Sequence, residues 1–160
     1  NLLLPLDHSK LTGLNNYDSR FLNQSFDKGN KYSVPYFWGT LGIIYNDKYV
    51  KAKDIQHWDD LWSSKFKNQI MLIDSARDVL GITLITQGKS VNNKSVADLA
   101  AAQGKLTTLM PNVKAIIADE IKMYMAQDEA AIAVTYSGEA AEAIDKNSQL
   151  HYVVASEGSN

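Results

Sequence analysis

Between residues 69 and 154, short apolar runs alternate with helical patterns, and this alternation constrains the 160-residue chain more than any other feature. Gln69-Ile70-Met71-Leu72-Ile73 is apolar throughout after its first residue, the pattern of a strand buried on both faces. The pattern predicts a helix from Ala76 to Gln87, stopped by Gly88, and a second from Ser95 to about Met110, closed by Pro111-Asn112. A strand follows at Val113 to Ile117, then a helix at Glu120 to Gln127 and a strand at Ala130 to Tyr136. A helix at Gly138 to Lys146 and a strand at Leu150 to Val154 complete the series. Such regular alternation with short connections implies an α/β fold, a mostly parallel sheet with helices on both faces.

Upstream the pattern is weaker. Residues 1 to about 31 hold few periodic apolar runs, and Asp27-Lys28-Gly29-Asn30 is a turn signal. Short helices are expected near Ser9 to Leu14 and Ser19 to Asn23, with too little apolar material for a separate core. Tyr32 to Tyr36 and Thr40 to Tyr45 read as strands joined at Trp38-Gly39. Trp58 to Ser63 reads as a short helix carrying Trp58 and Trp62 on one face. The opening Asn1-Leu2-Leu3-Leu4-Pro5 reads as an internal start, so the chain is expected to be part of a longer protein.

Composition excludes several functions. No segment approaches the roughly 18 consecutive apolar residues of a membrane span. A net charge of -2 and a pI near 5.9 argue against nucleic acid as a partner. Without cysteine there is no thiolate metal site, disulfide framework or cysteine nucleophile. His8, His57 and His151 share no metal-ligand spacing and no evident nucleophile, and no phosphate-binding loop, dinucleotide fingerprint or nucleophile elbow is present. No enzyme, cofactor or metal is expected.

Ligands of such sheets bind beyond the carboxyl ends of the strands. Three strand ends qualify: Asp74 to Asp78, Ala118 to Glu120, and Tyr136 to Glu139. Ser75-x-x-Asp78 matches a capping box, and Asp119, Glu120 and Glu139 suit helix starts as caps or dipole partners. Asp74 and Asp78 bracket the first of these turns and would make it receptive to an ammonium group, and Tyr136 could pack a methylene chain or a cation. Capping and binding are both open for these residues.

The segment Phe26-Asp27-x4-Tyr32-Ser33-x-Pro35-Tyr36-x-Trp38-Gly39-Thr40 resembles the crossover of bacterial polyamine-binding proteins, the spermidine/putrescine receptors of ABC importers. The likeness continues in order through Trp58-x-Asp60-Leu61-Trp62, Asp74-x-Ala76-Arg77-Asp78-Val79, Leu109-Met110-Pro111-Asn112-Val113 and Ser156-Glu157-Gly158. It implies one lobe of a type II periplasmic-binding-protein-like fold. Residues 1-38 would form the tail of the first lobe and the crossover, 39-154 the second α/β lobe, and 155-160 the start of the return crossover. The chain would then be the extracytoplasmic component of an importer, in the periplasm or on the outer face of the cell membrane as a lipoprotein. Its partners would be a polyamine and a membrane permease, with no insertion of this segment into the bilayer.

By position the resemblance puts Ser75 and Asp78 in the cleft, where spermidine-binding members are expected to carry Asp and Glu. Tyr136 stands where the family tends to carry Trp. Asp74 or Asp119 would compensate for the uncharged Ser75, and Trp38 and Thr40 join the expected ligand contacts from the crossover. Further contacts are expected in the first lobe and beyond residue 160. The alternatives are a lobe for another small solute, an anion or a metal, or an α/β enzyme using Asp78 or Asp119 as a base.

Overall fold

The computed structural model describes residues 2–159 and divides into two compact units, Asn1–Trp38 and Gly39–Asn160. The first unit has no buried hydrophobic residue among those described. Its short 3-10 turns, His8–Lys10, Leu14–Asn16, Ser19–Phe21 and Lys28–Asn30, are organised by polar side chains instead. Asp7 accepts from the Ser9 N–H and Asp18 from the Arg20 N–H, each starting a turn. Asp27 is the buried organiser: its carboxylate accepts from the N–H groups of Lys31, Tyr32 and Ser33 and from the Ser33 hydroxyl. The expected turn lies there, with Gly29 at φ 71° and Asn30 at φ 51°. The strand expected at Tyr32 to Tyr36 does not form. Residues 33–40 belong to no sheet, and Pro35 removes one of the donors a ladder would need.

In the second unit, strands β1 (Leu41–Asn46), β2 (Ile70–Ile73), β3 (Val113–Ile117), β4 (Ile132–Tyr136) and β5 (Leu150–Val153) form one sheet in the order β3-β2-β4-β1-β5. Parallel pairing joins β2 to β3 and β4; β1 pairs antiparallel with β4 and with β5. Four strands therefore run one way and β1 alone runs against them. The position of each strand matches its composition. Central β1 and β2 are buried along their whole length, whereas edge strand β3 keeps Lys114 and Ile116 exposed.

Four helices cover the sheet: α1 (Ala76–Thr86), α2 (Val96–Leu109), α3 (Ile121–Ala126) and α4 (Ser137–Lys146). Ser75 and Ser95 cap α1 and α2, each accepting from the backbone N–H three residues on. Gly88, at φ 68°, ends α1 in a Schellman motif: its N–H donates to Ile85 O and that of Lys89 to Leu84 O. Asp128, at φ 61°, ends α3 in the same way, and its carboxylate accepts from Asn46 and Asn147. The connection from β2 to β3 crosses the sheet in one direction and that from β3 to β4 in the other. Right-handed crossovers then place α1 and α2 on one face and α3 on the other, and α1 indeed packs with α2 and α3 with α4.

The segment Trp58–Trp62 is a 3-10 helix, which corrects the expected shared tryptophan face. At three residues per turn, positions four apart diverge by about 120°. Trp58 is fully buried with its indole N–H on Gly158 O, while the Trp62 indole donates to Lys105 O. Asn112, also buried, donates from its amide to both Leu61 O and Ser63 O, tying this segment to the end of α2.

Candidate functional site

From β2 the chain moves to one side of the sheet, and from β4 it moves to the other. The crevice beyond the carboxyl ends of these two neighbours is thus a topological switch point. Asp74 and Ser75 leave the end of β2, Ala118 and Asp119 the end of β3, and Ser137 and Glu139 the end of β4. A cavity of about 210 Å³ at these strand ends is lined by Asp74, Ser75, Asp119, Tyr136 and Glu139 together with buried Thr135. Beside it, Asp74 and Ser75 also border a larger apolar groove of about 400 Å³ between α1, α2 and β3.

Local structure fixes each group. The Asp74 N–H donates to Ile117 O at 2.9 Å, locking the turn after β2 to the end of β3. Ser75 Oγ accepts from the Asp78 N–H at 3.4 Å, which sets Asp78 in the first turn of α1. From there the Asp78 carboxylate spans the switch point: the Tyr136 hydroxyl donates to its Oδ2 at 2.6 Å. Burial, and then the hydrogen bond and charge of Asp78, push the Tyr136 phenol up to about 12. The ring remains 41% exposed, so an aromatic surface faces outward at the strand end.

The sequence-predicted residues fall into three groups. Asp74, Ser75, Asp119 and Tyr136 meet at one cavity, and Asp78 joins them through the Tyr136 hydroxyl. Thr40 reaches the same sheet edge, because β1 runs antiparallel and Leu41 pairs with Tyr136. Its groups are engaged within the unit, however. The Thr40 N–H donates to Ser137 Oγ at 3.3 Å, its carbonyl accepts from the Tyr152 hydroxyl at 2.7 Å, and its own hydroxyl lies 3.3 Å from the Tyr152 oxygen. Trp38 belongs to the first unit, where its ring stacks on Phe21 at 5.3 Å.

Two residues at this edge escape a reading of the sequence. Glu139 fits the first turn of α4, as its position suggests, but it also lines the cavity. Lys122, in the first turn of α3, lies 3.1 Å from Glu139 Oε2 and 2.8 Å from Glu142 Oε2. The pairing with Glu142, and then with Glu139, pushes its ammonium above the ordinary lysine value. The i, i+3 spacing of Glu139 and Glu142 hints at a shared cation, but nothing local identifies Lys122 as that cation. The histidines are occupied elsewhere: His8 with Asn30 O, His57 with Glu157 and His151 with Asp47. Among the described residues, no three His, Asp or Glu side chains gather as a metal-ligand set.

The arrangement places several carboxylates and one aromatic residue at the carboxyl edge of a sheet. It is suited to holding a cation. The profile of the bacterial extracellular solute-binding protein family matches residues 1–160. The chain belongs to that family. Among relatives, the spermidine/putrescine-binding periplasmic protein of Salmonella typhimurium is 36% identical over 98% of this chain and 45% of that protein. The Escherichia coli protein described in the same words is 34% identical, with 98% and 45% covered.

Solved structures extend the likeness of this family member. The spermidine/putrescine ABC transporter substrate-binding protein of Streptococcus pneumoniae is 55% identical, with a TM-score of 0.86 over 99% of this chain and 49% of that one. A putative spermidine/putrescine ABC transporter protein from Listeria monocytogenes is 54% identical, with a TM-score of 0.92 over the same shares. The chain thus spans about half the length of the relatives it matches. These relatives are transport binding proteins. The family is extracellular, and among the described residues no helix is long and apolar enough to cross a membrane.

Proposed function

We propose that this chain supplies one side of the ligand cleft of a polyamine receptor serving an ABC importer. The observation that carries the reading is the carboxylate and aromatic set at the switch point: Asp74, Asp78 and Asp119 around the Tyr136 ring. Polyamines carry ammonium groups at intervals along an alkyl chain. They call for carboxylates that make charge-assisted hydrogen bonds and for an aromatic wall against the methylenes. The identity of more than half to two proteins described as spermidine/putrescine transport components supports the same ligand class. Acids in the first turns of α1 and α4 would repel an anion at helix starts that otherwise attract one.

In this reading residues 1–38 close the first lobe and cross over, 39–154 form the second lobe, and 155–160 begin the return. Asp78 and Tyr136 act as the pre-positioned pair, Ser75 orients Asp78 through its backbone, and Asp74 and Asp119 restore the charge that Ser75 lacks. Trp38 and Thr40 contribute from the crossover, Thr40 through the strand-end frame it builds with Ser137. The receptor works outside the cytoplasm, in the periplasm or held to the membrane by a lipid anchor. A permease reads its closed form, and no covalent step is involved.

Titration calorimetry of the full-length receptor and of this chain with putrescine and spermidine tests the reading. The full-length protein is expected to bind tightly and the chain alone far more weakly, because half of the cleft is then missing. Equal affinities would refute a shared cleft. A D78A receptor that binds as tightly as the wild type would remove Asp78 from the site.

A further inference from the structure

We propose that Lys122 is a built-in counter-ion of the ligand site, one that neutralises Glu139 and so limits how much positive charge the cleft accepts. The inference rests on the polyamine reading above and assigns a specificity role within that site. It starts from packing. Helices α3 and α4 lie against each other, and Lys122, Glu139 and Glu142 meet at their first two turns. Glu139 lines the cavity, whereas Glu142 is not among its lining residues. Lys122 is therefore held between an anchoring acid and a site acid.

The three carboxylates that line the cavity differ in this respect. Asp74 and Asp119 are exposed and have no ion-pair partner among the described residues. Glu139 Oε2 is shielded from solvent, and the Lys122 ammonium, 3.1 Å away, is the cation paired with it. An amine that reaches Glu139 must compete with a lysine held in place by Glu142. The cavity then behaves as a site for two unpaired acids, Asp74 and Asp119, with Asp78 across the Tyr136 bridge. Such a site favours a short diamine over a longer, more highly charged amine.

The experiment is calorimetry of the full-length receptor with putrescine and spermidine at one ionic strength, in the wild type, K122M, K122R, E142Q, E139Q and K122M/E139Q. K122M is expected to tighten spermidine binding about tenfold, the effect of one uncovered charge roughly 6 Å from an ammonium at an effective dielectric constant of about 40. Putrescine should gain less. K122R keeps an anchored cation on Glu139 and should stay within about twofold of wild type, whereas E142Q loosens the lysine and should tighten spermidine binding by less than K122M does. E139Q alone leaves a lysine without its site acid and should weaken binding, while K122M/E139Q should return to about the wild-type value. Tightening that survives in K122M/E139Q, or its absence in K122M, overturns the counter-ion role while leaving the polyamine reading intact. A wild-type receptor that binds neither amine overturns the polyamine reading and this role with it.

Discussion

Replacing Tyr136 with phenylalanine removes one hydroxyl and leaves the ring, so it isolates the bond that spans the switch point. In the wild type this hydroxyl donates to Asp78 Oδ2 at 2.6 Å. A hydrogen bond to a charged group contributes about 1.5–3 kcal/mol when enclosed, but the ring is 41% exposed and water replaces part of the loss. The expected cost at pH 8 is therefore about 1 kcal/mol. The alkaline side behaves differently. The phenol is pushed from 10.0 up to about 12, first by burial and then by Asp78. A folded-state value raised above the unfolded one gives stability that is present below about pH 10 and lost as pH rises through about 12. Two pH units amount to about 2.7 kcal/mol, which exposure reduces to the order of 1 kcal/mol. The phenylalanine ring of the variant has no proton to lose, so the wild-type advantage should shrink toward zero between pH 8 and pH 12. Urea unfolding of both proteins across that range measures the gap directly. Other groups titrate equally in the two proteins and cancel in the difference. A gap that stays constant, or widens with pH, refutes the argument.

Two further substitutions and one titration probe the rest of the fold. A Cβ on Gly42 would stand 2.7 Å from Val153 O and still closer to the Tyr152 ring, so Gly42→Ala should cost about 3 kcal/mol in urea unfolding; less than about 0.5 kcal/mol would contradict the tight β1–β5 contact. Asn112→Ala leaves Leu61 O and Ser63 O without their shared donor and should cost about 2 kcal/mol, checked by the thermal midpoint. The Asp27 carboxyl is held below the usual aspartate value, chiefly by the Ser33 hydroxyl and then by backbone N–H groups. The order it brings to residues 28–33 should persist above about pH 4 and fade as pH drops through the lowered value. Amide shifts of Lys31, Tyr32 and Ser33 from pH 5 to pH 2 would show this, and shifts that do not move would count against it.

Much of the second unit was readable because its elements are defined locally. Ile70 to Ile73 is apolar without a break because β2 has neighbours on both sides and helices on both faces, and Ser75, Ser95 and Gly88 mark helix ends by their own chemistry. The direction of β1 was not readable, since a fully buried strand has the same composition whichever way it runs. Tyr32 to Tyr36 has strand-like residues but no partner in a sheet, and Trp58 to Trp62 is wound more tightly than an α-helix. At the site, the strand-end position of Asp74, Ser75, Asp119 and Tyr136 was legible from the alternation alone. The bond between Tyr136 and Asp78 joins residues 58 apart, and the link from Lys122 to Glu139 crosses between two helices. No spacing rule reports contacts of that kind, which only the packing of the sheet and its helices creates. Thr40 is expected at the ligand from its place in the crossover motif, a role its neighbours in space neither add to nor remove. Its hydrogen bonds to Ser137 and Tyr152 make it part of the frame that holds the edge.

The pairing of β1 with β5 has a consequence for how such a unit can be moved between proteins. Ile43 sits opposite Val153, the Tyr152 hydroxyl reaches Thr40 O, and the Ser159 hydroxyl reaches Leu41 O at 2.6 Å. The polypeptide therefore enters and leaves residues 39–159 through one doorway, its two ends hydrogen-bonded side by side. A module with adjacent ends can be spliced into a surface loop of an unrelated host, or have its ends joined and new ones opened elsewhere, with little loop to close. The same stitches that hold the doorway shut would keep the graft in register with its host.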